Sequence, residues 1–339
     1  MKSIIIIPLL FITSITFSQT RELFNNEVIR FQLPVKNDTI EFLVADTVLK
    51  SKKPVLLYCQ GSMPFPLFYD LKGKKELFGG GISNFNLDSI RKQYHLVVIA
   101  MPKTPFCVAE NHLNRDYCYV PDIANASVFS KAFYQADVLE NYVSRASKVI
   151  AFLRKQTWVD KRKLVVAGHS QGTHVAVILA SKNKYITQLG LFSYDPFGRV
   201  EKIIRGIRKD AEMNKISWGK ADTLINDRYE FNKAIHDPEF LKEHPEYLNW
   251  NSFAQSTIEI LLKLEIPIYV AYGTNDNSAA LCDYLPVYFD RAKKGNLTLK
   301  RYVNREHNFY GIDEKGRVNY KDKYWVEVVN AFTNWTLTK

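Results

Sequence analysis

The segment KLVVAG, residues 163–168, runs into HVAVILASK, residues 174–182, with only HSQGT between them. A continuous apolar run of this length is the mark of a strand buried on both faces, and the run after it reads as a helix. Joining the two with almost no loop forces the helix to turn back at once over the sheet. That arrangement is a βα unit, and it excludes a β-sandwich or a helical bundle for this part of the chain.

The same signature recurs along the sequence. PVLLYCQ (54–60), HLVVIAM (95–101), LGLFSYD (189–195), IPIYVAYG (266–273) and NLTLKRYV (296–303) all read as buried strands. EVIRFQL (27–33) and TIEFLVA (39–45) read as a leading hairpin. DVLENYVSRASKVIAFLRKQ (137–156) and the closing WVEVVNAFTNWTL carry apolar residues at helical spacing. Strands alternating with helices predict an α/β fold: a mostly parallel sheet with helices on both faces. The charged segment from about 197 to 262 breaks the alternation and reads as a helical insertion lying over the sheet. Residues 19–339 are therefore expected to form one domain with that insertion.

Residues 1–18, MKSIIIIPLLFITSITFS, place one lysine before an apolar stretch and small polar residues after it. This pattern predicts an export signal peptide cut before Gln19, and a periplasmic or secreted mature protein. The apolar stretch is short for a membrane span, so a membrane anchor is the lesser reading, and since nothing downstream approaches the length of a span, no stable span is expected after its removal. Cys107 and Cys118 lie in the polar stretch PFCVAENHLNRDYC. In an oxidising compartment they either form a disulfide or remain two thiols, and spacing alone leaves both open. No Cys or His spacing indicates a metal. The net charge of +11 is scattered among acidic residues, so a nucleic-acid partner is not expected. The densest basic stretch is KIIRGIRKD (202–210), where Lys202, Arg205, Arg208 and Lys209 read mainly as a solvated helix face, with an anionic partner as the lesser reading.

Gly168-His169-Ser170-Gln171-Gly172 fits the pattern G-x-S-x-G between a strand and a helix. A turn this tight strains the apex residue, and side chains two positions to either side would clash. Its effect is to hold a serine hydroxyl at the sheet's carboxyl end, beside a helix N-terminus that favours negative charge. With this elbow in that context, the mature chain resembles the α/β-hydrolase family. The resemblance implies a Ser-acid-His order, with the acid after a late strand and the histidine after the last one. Asp276 follows IPIYVAYG, and His307 follows NLTLKRYV, so the implied triad is Ser170, Asp276 and His307. Asp195, at the end of an earlier strand, is the alternative acid; His169 and His174 are read as packing residues.

The resemblance further implies an oxyanion hole built from the backbone N–H groups of Gln171 and Ser62, the latter in a Gln60-Gly61-Ser62-Met63 turn where relatives carry His-Gly. The 197–262 insertion resembles a family lid, PFPLFYD (64–70) and FGGGIS (78–83) are candidate pocket walls, and 102–135 a second rim. Together these predict a serine hydrolase acting on a small carboxylic ester without a cofactor. A peptidase or acyl-peptide hydrolase, and a catalytically silent binding protein on the same fold, are the alternatives.

Overall fold

The computed structural model describes residues 20–36 and 38–339. The signal peptide expected over residues 1–18 lies outside the described residues.

Nine strands form one sheet: β1 (Thr20–Phe24), β2 (Val28–Val35), β3 (Asp38–Val44), β4 (Lys53–Cys59), β5 (His95–Ile99), β6 (Val159–His169), β7 (Gln188–Phe192), β8 (Ile268–Gly273) and β9 (Leu297–Tyr302). Their spatial order is β1-β2-β3-β5-β4-β6-β7-β8-β9. The first three pair antiparallel, β3 pairs antiparallel with β5, and every pair from β5 to β9 is parallel. The strands expected from the sequence are all present, but β9, expected to be buried, is a half-exposed strand at the edge of the sheet. β1 was not anticipated, since TRELF is largely exposed and carries no apolar periodicity.

The continuous apolar runs have a direct cause in the packing. Within β4, Val55 and Leu57 enter one core cluster while Leu56 and Tyr58 enter the other. The same alternation places Val166 on one face of β6 and Val165 and Ala167 on the opposite face. One face is covered by α1 (Leu139–Leu153) and α2 (Gln171–Lys182), which contribute Val143, Val149, Val175 and Leu179. The C-terminal helix, named α5 below (Trp325–Thr338), covers the other with Trp325, Val328 and Phe332. This is a doubly covered, mostly parallel sheet.

Between β7 and β8 the chain is helical. It includes α3 (Arg199–Glu212) and α4 (Trp218–Ala234), followed by short helices at Pro238–Glu243, Leu248–Ser252 and Ile258–Lys263. α3 and α4 are tied by an ion pair between Arg208 and Asp222 at 2.9 Å.

The two cysteines between β5 and α1 are not bonded to each other, and all four cysteines are free thiols. Cys107 belongs to a small sheet that the sequence did not reveal, in which Cys107–Ala109 pairs with Phe68–Leu71. Neighbouring residues on a strand point to opposite faces. Cys107 packs with the Phe68 and Phe106 side of this sheet, whereas Tyr69 and Val108 occupy the opposite face. Cys118 lies farther along the loop and is buried, which pushes its thiol pKa up to about 12.

Candidate active site

At the end of β6 the chain turns into α2 through Ser170, whose φ of 53° and ψ of −123° are strained for a residue with a side chain. Two glycines make the turn possible. A Cβ on Gly168 would lie 2.1 Å from the carbonyl oxygen of Gly172, and one on Gly172 would lie 2.1 Å from that of Cys59. The apex is fixed on both sides: the Ser170 N–H donates to Phe192 O at 3.0 Å, and the Thr173 hydroxyl donates to Ser170 O at 2.6 Å.

The structure brings the three distant residues together. His307 Nε2 stands 2.8 Å from Ser170 Oγ, and His307 Nδ1 stands 2.6 Å from Asp276 Oδ2. Because the carboxylate can only accept, Nδ1 carries the proton and Nε2 is left to accept from the serine hydroxyl. The His307 backbone carbonyl accepts from Ser193 Oγ at 2.6 Å and from His169 Nε2 at 3.1 Å, which pins the ring's position. Asp276 is buried and accepts at Oδ1 from the Ser278 N–H at 3.0 Å. Burial alone would raise its pKa, but the charge and hydrogen bond of His307 outweigh that and hold it far below the usual carboxylate range. The turn bearing Asp276 is locked to the His307 loop by the Asn275 N–H, which donates to Arg305 O at 2.9 Å. Gly273 permits this approach, since a Cβ there would fall 2.2 Å from Arg305 O. Nothing in the sequence alone distinguished that glycine.

Asp195 is not the partner of His307. It is buried and bound to His174, Nε2 to Oδ1 at 2.5 Å. His169 is enclosed edge-on against Trp325 with ring centroids 5.0 Å apart, and burial pushes its pKa down to about 3. Both histidines are thus committed to the fold, as their positions predicted.

Gly61 lies against the elbow, with its Cβ position 3.7 Å from Ser170 Cβ. Among the described residues, the N–H groups of Ser62 and Gln171 donate to no protein acceptor. Both residues border the space in front of Ser170. Gln60 borders the smaller cleft and donates from Nε2 to Ile99 O at 2.7 Å. Met63, after Ser62, holds a φ of 81°, a second strained non-glycine position bordering the same clefts as Ser170.

Two clefts meet at Ser170, and both are bordered by Ser62 and Met63. One, of about 520 Å³, is walled by Phe133, Trp250 and Phe253, with Arg199 and Lys202 of α3. The other, of about 420 Å³, is walled by His307, Tyr310, Phe65, Phe78 and the Gly80–Gly81 turn. The loop after β4 therefore does wall a pocket at Phe65, while Leu67 and Phe68 are fully buried core.

A mostly parallel, doubly covered sheet with a strained serine at the end of a central strand defines the chain as an α/β hydrolase. Residues 58–326 match the model of the Esterase family, described as "Putative esterase". The chain belongs to that family. No curated protein matches it. Among solved structures it is similar to a "putative dipeptidyl aminopeptidase IV" of Bacteroides ovatus, with 11% identity, a TM-score of 0.52, and 95% of this chain and 36% of that one covered. It is also similar to a thioesterase domain from the curacin biosynthetic pathway, with 12% identity, a TM-score of 0.50, and 91% and 99% covered. At these identities the likeness concerns the fold. The chain spans about a third of the length of the first of these proteins.

Proposed function

We propose that this protein is an exported serine hydrolase that cleaves carboxylic esters through an acyl-Ser170 intermediate. The observation that carries the reading is the continuous chain of contacts from Asp276 through His307 to the Ser170 hydroxyl, at 2.6 and 2.8 Å. His307 Nε2 takes the hydroxyl proton as Ser170 Oγ bonds to the ester carbonyl carbon. The resulting oxyanion is met by the Ser62 and Gln171 N–H groups, and one such donor is typically worth about 3 kcal/mol of barrier. The imidazolium then returns its proton to the departing alkoxide as the C–O bond breaks, leaving the acyl group on Ser170. Water, deprotonated by the same ring, attacks the acyl-enzyme; the Ser170–acyl bond breaks and Oγ regains a proton. Asp276 keeps the ring in the required tautomer and stabilises its charged form.

The family match supports an ester as substrate, and the leader-like residues 1–18 support export. A fluorophosphonate probe tests the chemistry. Labelling of the wild type that disappears in Ser170→Ala is expected, together with turnover of nitrophenyl esters. An unlabelled, inactive wild type would return the chain to the silent binding protein.

A further inference from the structure

Helix α3 carries five cationic side chains: Arg199, Lys202, Arg205, Arg208 and Lys209. Three are satisfied within the fold. Arg205 pairs with Glu212 at 3.0 Å, Arg208 with Asp222 at 2.9 Å, and Lys209 donates to the Asn275 carbonyl at 2.8 Å. The other two, three positions apart and so on one helical face, border the larger cleft beside Ser170. Neither makes an ion pair among the described residues, and residues 1–19 and 37 contain no acidic side chain that could supply one.

Arg199 is positioned as a receptor. Its Nη2 donates to Gln171 Oε1 at 2.8 Å and its Nη1 to Asn249 Oδ1, both neutral acceptors. The rings of Trp250 and Phe253 lie 4.9 and 5.6 Å from its guanidinium carbon. A guanidinium has five N–H donors, so most remain unused, and Nε is not among the buried atoms left without a partner. It therefore opens on the cleft. Lys202 Nζ stands 3.4 Å from His307 Nδ1, whose proton is already given to Asp276.

The carboxylates of the same wall take their hydrogen bonds from other groups, although the charge of Asp195 and Asp137 still acts on Arg199. Asp137 accepts from Tyr142 at 2.6 Å and from Gln171 at 3.3 Å, Asp195 accepts from His174, and Glu246 lies 3.3 Å from His244. Asp195 and Asp137 act on Arg199 through space without pairing with it, so a bound carboxylate would gain the guanidinium's unused N–H donors as direct partners. The direction of the Arg199 pKa agrees: burial lowers it, against the opposing pull of Asp195 and Asp137.

Which half of the substrate carries the anion follows from the proton path. His307 must protonate the leaving oxygen, and His307 walls the smaller cleft, whose lining contains no Lys or Arg. The alcohol half belongs there and the acyl half in the larger cleft. We propose that the preferred substrate is an ester whose acyl chain ends in a carboxylate, held by Arg199 and Lys202 across an apolar spacer lying on Phe133, Trp250 and Phe253. This rests on Ser170 being the nucleophile.

The test compares the nitrophenyl monoester of glutarate with nitrophenyl valerate, an uncharged ester of the same chain length. The readout is the ratio of their kcat/KM values. Wild type should favour the anionic ester by roughly tenfold or more, the worth of one charge-assisted contact. Arg199→Met and Lys202→Met should each lower that ratio by a similar factor, chiefly through KM for the anionic ester. Added salt should lower it too. Arg199→Lys should restore part of it. Lys202→Met makes the test independent of Arg199, whose contacts also tie α3 to α2. A wild-type ratio at or below one, or a ratio unmoved in both methionine variants, overturns the proposal while fluorophosphonate labelling of Ser170 leaves the hydrolase reading intact. Absence of both labelling and turnover overturns both.

Discussion

At the scale of single residues, the elbow is held by sterics more than by attraction. Gly172→Ala would place a methyl group 2.1 Å from the Cys59 carbonyl, so β4 and α2 must part. We expect a loss at least as large as ordinary overpacking, about 1–3 kcal/mol, read as a lower denaturant midpoint with activity lost. Asp276→Asn keeps the shape but offers Nδ1 a donor where it needs an acceptor. Its kcat on nitrophenyl esters should fall by roughly 10³–10⁴, with KM changed little. His307→Ala should lose about as much activity as Ser170→Ala, because the pair acts as a unit. A near wild-type rate for His307→Ala would remove that histidine from the chemistry.

Among elements, legibility followed burial. Strands such as β4 and β8 were plain in the sequence because both of their faces are buried, so every position had to be apolar. The elbow and Asp276 could be placed because each follows such a strand, whereas His307 follows β9, a half-exposed edge strand. The short strands at Phe68–Leu71 and Cys107–Ala109 were not legible, being too brief to show a period. The pairing of Cys107 and Cys118 stayed open as well, since sequence spacing says nothing of how the loop between them folds. With the thiols apart, dithiothreitol should leave the melting temperature unchanged, and a thiol reagent should count all four cysteines in the unfolded protein without prior reduction. A rise in thiol count on reduction would contradict the structure. The roles of Arg199 and Asn249 were equally hidden. Arg199 and Arg205 look alike in the sequence of α3, and only the docking of that helix over the sheet turns one toward the cleft and the other toward Glu212.

For the molecule as a whole, buried His169 couples stability to pH. Its pKa of about 3 in the fold lies well below the ordinary value of 6.5. Below pH 6.5 the unfolded chain binds a proton there that the fold refuses, so stability should decline steadily from about pH 6.5 toward pH 3. Asp276, depressed in the fold, adds a loss that begins only below its ordinary carboxylate pKa, near 3.8. Melts of wild type and His169→Gln between pH 7 and 4.5 separate the two, and the variant should show the flatter curve. The meeting of two clefts at one hydroxyl has a kinetic consequence. When the first product departs, its berth becomes the doorway for whatever attacks next, while the retained half stays seated on the far side. A simple alcohol such as methanol, competing with water at that doorway, should divert the retained half into a new methyl compound and hasten the reset of Ser170.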